Sequence, residues 1–323
     1  MTPPHGSSRG LYAVVGKRLL SVRAPAKINL SLRVLRRTAG GYHELRTIFQ
    51  SIALHDTLTF EAGSGPFRIE CDDPACPTDR SNLVWRAAET MVRAAGGRGA
   101  PRDISIRIAK RIPIQAGLGG GSSDAAAALR GFAALWRVKI PAARMRAMAA
   151  ALGADVPFFL EGGTVLGLDR GDRLFPLIDP PRAWVTLVIP SFGVDTKDAY
   201  AWFDRARPGR RDRRPGAGTM VRAPERANDL QAAVVRRHPE IGRIAAALER
   251  EGAIEAAMSG SGSAVFAMFQ TRAAAERAAT ALAGRSRQTL VARTLNRVQY
   301  QTLAAPRAHR INLPFAPRGS GHS

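Results

Sequence analysis

The amino-acid sequence predicts an α+β fold, and three observations support it. Short runs alternate apolar with polar residues, stretches of helix formers lie between them, and clusters of glycine, proline and serine separate the two. The chain of 323 residues is long enough for two ordinary domains or one large one. Hydrophobic residues make up 45% and charged residues 23%, the balance of a globular chain rather than a disordered, fibrous or membrane-embedded one.

Residues 1–20, with Pro3-Pro4 and Gly6-Ser7-Ser8, read as a flexible extension. Ile28, Leu30, Leu32 and Val34 then alternate with Asn29, Ser31 and Arg33, so a half-buried strand is expected with Lys27 and Asn29 on its other face. Residues 57–60 and 67–71 read as further strands, with Gly63-Ser64-Gly65-Pro66 as the turn between them in an antiparallel sheet. Ser81 is expected to cap a helix that carries Leu83, Val84, Ala87, Ala88, Met91 and Val92 on one side and stops at Gly96-Gly97. Ile104, Ile106 and Ile108 alternate as another strand. Residues 124–136 and 141–152 are helical in composition, the second opening on Pro141.

Strands are expected again at residues 164–168 and 184–189. Residues 205–226 hold eight arginines against Asp212 and Glu225, interrupted by Pro208-Gly209 and Pro215-Gly216, and read as an inserted loop. Beyond it come helices near 228–237 and 239–250, a strand at 264–269, a helix at 271–283 and a strand near 290–294. The end of the chain, rich in proline, glycine and basic residues, reads as a flexible tail over 303–323. No internal repeat is visible.

The net charge of +22 raises a polyanion-binding reading, which its distribution weakens. Much of the excess sits in the Arg-rich loop and at the two ends, where Arg9, Lys17, Arg18, Arg307, Arg310 and Arg318 have no acidic company. No basic stripe interleaved with aromatics appears, which argues against a nucleic-acid partner. Cys71 and Cys76 have no nearby histidine at a zinc spacing and read as free thiols. No apolar run is long enough to span a bilayer and no secretory leader pattern opens the chain, so a cytoplasmic protein without a membrane partner is expected, as monomer or homodimer.

The densest chemical signal is Pro113-Ile114-Gln115-Ala116-Gly117-Leu118-Gly119-Gly120-Gly121-Ser122-Ser123-Asp124. It lies between an expected strand and an expected helix, so its backbone N–H groups and the helix dipole converge on one anion site suited to nucleotide phosphate. It lacks the Gly-Lys-Ser/Thr ending of a Walker loop. The dinucleotide pattern also fails, because Ser122 stands where its last glycine would be.

This loop resembles the phosphate loop of the GHMP kinases. Met258-Ser259-Gly260-Ser261-Gly262-Ser263 resembles that family's C-terminal glycine motif, in the right order along the chain. Three further stretches narrow the resemblance within the family: Ala24-Pro25-Ala26-Lys27-Ile28-Asn29-Leu30, Gly41-Tyr42-His43-Glu44-Leu45 and Gly153-Ala154-Asp155-Val156-Pro157-Phe158-Phe159. They imply a kinase acting on a cytidyl-bearing alcohol, 4-diphosphocytidyl-2-C-methyl-D-erythritol, whose 2-hydroxyl would take the γ-phosphoryl of ATP in the non-mevalonate route to isoprenoid precursors. The same resemblance implies a ribosomal-S5-domain-2-like lobe over 21–165 and a ferredoxin-like lobe over 166–302. The second lobe's last strand, near 288–300, would pack back on the first.

By this resemblance Lys27 and Asp155 are the catalytic pair; unaided, they read as an exposed strand lysine and a helix-end carboxylate. A carboxylate can accept the substrate hydroxyl proton, while a lysine stabilises charge on the attacking oxygen or the γ-phosphate. Asn82 and Leu83 match positions that meet adenine, and residues 113–124 match the phosphate cradle. Tyr42, His43 and Tyr200 match cytidine-contacting positions, with Asn29 and Thr196 nearby, since an aromatic face with amide-like partners suits a flat base. Mg²⁺ is implied beside ATP, with Ser123 or Asp124 as candidates to help place it and no firm ligand. The competing readings are a GHMP kinase for mevalonate, homoserine or a sugar, disfavoured by Gly41-Tyr42-His43, and an RNA-binding module.

Overall fold

A computed structural model describes residues 19–37, 42–206 and 228–309. Most of the Arg-rich insertion and the outer parts of both ends lie outside these described residues; Arg205 and Ala206 close a helix.

The first half of the chain builds a mixed sheet covered by helices. Its elements are β1 (Leu19–Arg37), β2 (His43–Pro66), β3 (Arg68–Cys71), α1 (Leu83–Ala94), β4 (Arg102–Ala109), α2 (Gly120–Trp136), α3 (Ala142–Leu152), α4 (Phe158–Glu161), β5 (Thr164–Asp169) and β6 (Arg173–Pro176). The second half runs β7 (Trp184–Pro190), α5 (Thr196–Ala206), α6 (Gln231–Arg237), α7 (Pro239–Arg250), β8 (Glu255–Met258), β9 (Val265–Phe269), α8 (Arg272–Leu282), β10 (Arg287–Arg293), α9 (Arg297–Ala304) and β11 (Arg307–His309).

Alternation along β1 holds, since every second residue from Val22 to Val34 is buried. The face in between is not solvated, however: Lys27 and Asn29 are each 3% exposed, because β1 lies between two layers rather than at a surface. β2 pairs β1 along one edge, and its other edge is shared by β5 at Leu45–Gln50 and by β4 from Thr57 onward. The expected hairpin at residues 63–66 does not form. β2 runs through to Pro66, and β3 pairs β4 in parallel, because the returning chain passes beyond the strand that already fills the edge of β2.

The second sheet has the order β10-β7-β9-β8, all antiparallel, with α5–α7 after its first strand and α8 before its last. This is the βαββαβ arrangement of a ferredoxin-like lobe. Ala26, Ile28, Leu30 and Ile52 of the first sheet share a buried cluster with Val185, Leu187, Phe266 and Ala292 of the second, so apolar packing fixes one lobe against the other.

Several expected boundaries move. β5 and β6 belong to the first sheet, so the first lobe extends past residue 165 to Pro176. The last strand of the second lobe, β10, pairs β7 and packs Ala292 into the cluster it shares with Ala26, Ile28 and Ile52 of the first lobe. A backbone link follows just after β10, where Thr294 bridges Ile52 and the Leu295 N–H donates to the Ser51 carbonyl at 2.8 Å. The expected tail begins inside α9, and β11 pairs β1. α1 is capped by Asn82, not Ser81: the Asn82 side chain accepts the Val84 N–H at 2.9 Å, while Ser81 is tied back to Asp79. Among the described residues no helix is long and apolar enough to cross a membrane.

Candidate active site

The glycine loop ends in the first turn of α2 rather than before it. Gly120, Gly121, Ser122 and Ser123 are helical, and the Ser123 N–H already bonds the Gly119 carbonyl at 2.9 Å. The N–H groups of Gly120, Gly121 and Ser122 have no intrahelical acceptor and line a cleft, which is the geometry that collects phosphate oxygens. Two glycines are required by space. Gly117 has φ +75 and a side chain there would overlap the Ser259 carbonyl; at Gly119, φ +73, it would stand 2.7 Å from Phe159. The loop is held from the other lobe, since the Ser259 hydroxyl donates to the Gly117 carbonyl at 3.0 Å and the Ala264 N–H to that of Ala116 at 3.2 Å.

Lys27 stands beside this loop. Its backbone N–H donates to the Leu118 carbonyl at 3.0 Å, and its ammonium donates to Asn29 Oδ1 at 2.6 Å with Asp155 Oδ2 at 3.7 Å. The amide of Asn29 is oriented by donating to Thr47 Oγ1, which donates in turn to the Ser31 carbonyl, each at 2.7 Å. Burial pushes the Lys27 pKa below its ordinary value against the opposing pull of the Asp155 carboxylate. Asp155 sits in the turn between α3 and α4 with its side chain 35% exposed and lining the cleft.

A second buried charge cluster lies under the loop. The Lys110 ammonium donates to Asp56 and, at 2.8 Å, to Asp124 Oδ2; these side chains are 5%, 0% and 4% exposed. Both oxygens of Asp56 are engaged, because the N–H groups of Arg111 and Ile112 also donate to it. Asp124 Oδ1 has no partner. Burial, ahead of the Lys110 charge that opposes it, pushes the Asp124 carboxyl up, while the two carboxylates outweigh the burial of Lys110 and raise its pKa. Ser123, the other residue considered for a cation, has its hydroxyl engaged in donating to the Pro25 carbonyl at 2.7 Å. Among the described residues no three His, Cys, Asp or Glu side chains gather into a metal site of their own, so a cation here would complete its shell from phosphate and water.

At one end of the cleft Asn82 and Leu83 line the wall with Cys76 and Pro77. The Asn82 amide spans this corner by capping α1 and donating to the Pro77 carbonyl at 2.6 Å. At the other end Thr196, bonded to Ser261 at 2.9 Å, and Tyr200 face the cleft from α5. Tyr42 and His43 do not line it. Tyr42 is 63% exposed with the Arg170 guanidinium 6.0 Å from its ring centre. The His43 ring stacks on Tyr200 at 5.1 Å and is held through Nε2 by Asp204 at 2.7 Å, so it backs the tyrosine. The cleft measures about 560 Å³ and runs without a break from Asn82 past the glycine loop and Lys27 to Tyr200. Sequence reasoning missed Lys110, Asp56, Phe49 and Arg170, which carry no motif of their own; their roles come from contacts across more than one element.

Comparison with known proteins points to one family. The pattern described as "GHMP kinases N terminal domain" matches residues 82–163 and that described as "GHMP kinases C terminal" matches 216–287. The 4-diphosphocytidyl-2-C-methyl-D-erythritol kinase of Pelotomaculum thermopropionicum is 39% identical over 289 residues, covering 86% of this chain and 99% of that protein. The kinase of the same name from Anaeromyxobacter dehalogenans is 43% identical, covering 85% and 90%. Among solved structures, a 4-(cytidine 5'-diphospho)-2C-methyl-D-erythritol kinase superposes with a TM-score of 0.70 at 35% identity over 85% of this chain and 98% of the other. A homoserine kinase from Cytophaga hutchinsonii, at 19% identity and a TM-score of 0.65, shares the fold.

Proposed function

This chain belongs to the GHMP kinase family, and from that premise we propose that it transfers the γ-phosphoryl group of ATP to the 2-hydroxyl of 4-diphosphocytidyl-2-C-methyl-D-erythritol, in isoprenoid precursor synthesis. The observation that carries the mechanism is the Lys27–Asp155 pair at 3.7 Å beside the glycine loop, in a cleft that reaches both an Asn82 corner and an aromatic corner.

Phosphoryl transfer asks a protein for alignment and for screening of charge more than for covalent work. Asp155 accepts the proton of the attacking hydroxyl. Lys27, whose ammonium is fixed by Asn29, stands beside that carboxylate and faces the negative charge that gathers between nucleophile and γ-phosphate. The N–H groups at the start of α2 bind the phosphates, and the loop at residues 259–262 closes over them from the second lobe. Asn82, Leu83 and Pro77 would seat the adenine ring, and Tyr200 would give the cytosine a face, with Thr196 and Asn29 nearby. Mg²⁺ belongs to the same reading and would supply counter-charge to the triphosphate; the loop oxygens that could face it are Asp124 Oδ1, which has no hydrogen-bond partner, and the Ser123 hydroxyl, whose proton goes to Pro25. A cytoplasmic place of action fits the free thiols of Cys71 and Cys76.

ADP release measured with ATP and each candidate alcohol in turn tests this reading. Turnover with the cytidyl alcohol and none with homoserine or mevalonate is expected; turnover with either of the others instead would overturn the substrate assignment while keeping the family.

A further inference from the structure

We infer that Asp124 is a direct ligand of the divalent cation that accompanies the nucleotide, and that Lys110 and Asp56 hold it in that role. The inference rests on the kinase reading above and adds the protein's own contribution to the cation site.

Charge balance points there first. One ammonium, Lys110, is shared between two carboxylates, Asp56 and Asp124, with all three side chains at least nine-tenths buried. Counted as ions, the cluster carries one net negative charge directly behind the N-terminal turn of α2. Alone, that charge would repel a phosphate bound to the same turn. It is the right sign for a cation placed between the two.

Hydrogen bonding then selects the atom. Both oxygens of Asp56 already accept hydrogen bonds, three in all, whereas Asp124 uses only Oδ2, toward Lys110. Its Oδ1 is buried and unpartnered, a costly state for a carboxylate oxygen unless something else completes it. Asp124 lines the cleft with Gly120 and Gly121, so a bound polyphosphate lies on the same side. A hard divalent cation takes one or two carboxylate oxygens and fills the rest of its shell from phosphate and water, as this arrangement provides. Lys110 keeps the carboxylate from turning: a side chain at Gly120 would lie 3.0 Å from its ammonium, so the lysine is wedged against the helix start.

The test uses Mn²⁺ in place of Mg²⁺ and reads binding rather than turnover. Free Mn²⁺ is titrated by electron paramagnetic resonance in the presence of saturating ADP, with the full-length parent and Asp124→Asn, which keeps an acceptor for Lys110. The affinity of the enzyme–ADP complex for Mn²⁺ is expected to fall about tenfold or more, no less than loss of a partner behind a metal ligand costs, while ADP affinity without divalent cation stays within about twofold. Equal Mn²⁺ affinity in the two proteins overturns the inference, as does an equal loss of ADP affinity with and without Mn²⁺, which would mark Asp124 as structural. If the variant does not fold, the parent labelled with ¹³C in its aspartate carboxylates is examined as its ADP–Mn²⁺ complex; absence of a ¹³C hyperfine coupling overturns the inference. A parent that binds no ADP under either condition refutes the kinase reading itself.

Discussion

At the glycine-loop end of the cleft Lys27 is buried and held by a chain of neighbours, with the part-exposed Asp155 beside it, whereas at the aromatic end the side chains lean on one another. Lys27 is fixed by Asn29, which is fixed by Thr47, which is fixed by backbone, all within the sheet of the first lobe. Tyr200 instead rests on His43, which is held by the 40% exposed Asp204 on the same helix as the tyrosine. The contrast matches the work each end is asked to do. Stabilising a developing charge needs groups that are already placed and desolvated, while gripping a flat base tolerates adjustment and gains mostly from area.

The contrast predicts the largest loss at the buried end. Asp155→Asn and Lys27→Met should each lower kcat by about two decades or more with ATP affinity nearly unchanged, because they remove a transition-state contact rather than binding surface. Parallel calorimetry and turnover measurements check this; near-normal turnover would remove the pair from the mechanism. The same end should give the pH profile its basic limb. Burial depresses the Lys27 pKa, so kcat should fall with rising pH below the ordinary lysine range, and Asp155→Asn should move that limb lower by deleting the charge that props the ammonium up. For stability the sign is the reverse. The unfolded chain holds this proton more tightly, so the penalty for burying Lys27 is relieved as pH rises through its folded pKa toward the unfolded value.

Between the two ends, Gly117→Ala tests the seam of the lobes. A methyl group at φ +75 against the Ser259 carbonyl should cost roughly 1–3 kcal/mol in urea unfolding and weaken nucleotide binding as well. Unchanged stability would mean that the loop at residues 259–262 gives way easily.

At the aromatic end effects should be smaller and confined to KM. Tyr200→Ala should raise KM for the cytidyl substrate about tenfold with kcat little changed, since stacking on a base is worth roughly 1–3 kcal/mol, and Tyr200→Phe should be mild. Asp204→Ala should raise KM only about threefold, because it removes the partly exposed hydrogen bond that holds His43 behind Tyr200 rather than any group on the cleft wall. A kcat loss in either variant would show that the two ends are coupled.

Local signals carried far in this chain. Alternation marked β1 and β4, and the proline before α3 marked its start, because half-burial and first-turn geometry are written into neighbouring residues. The glycine loop was legible for the same reason: positive φ and close approach admit little else. Elements whose partners lie far along the chain were not legible. β2 looked like a short strand before a turn, and only the edges offered by β1, β4 and β5 make it 24 residues long.

The sequence by itself determined the glycine loop, the order of many of the strands and helices, and the residue types at Lys27 and Asp155. Tertiary structure decided what surrounds them. It turned Lys27 from an expected surface lysine into a buried one, drew Asp56, Lys110 and Asp124 into one cluster, and set His43 behind Tyr200 rather than in the cleft. The reason is physical: backbone geometry is set by neighbours in sequence, whereas burial, charge balance and the free valence of a carboxylate oxygen are set by neighbours in space.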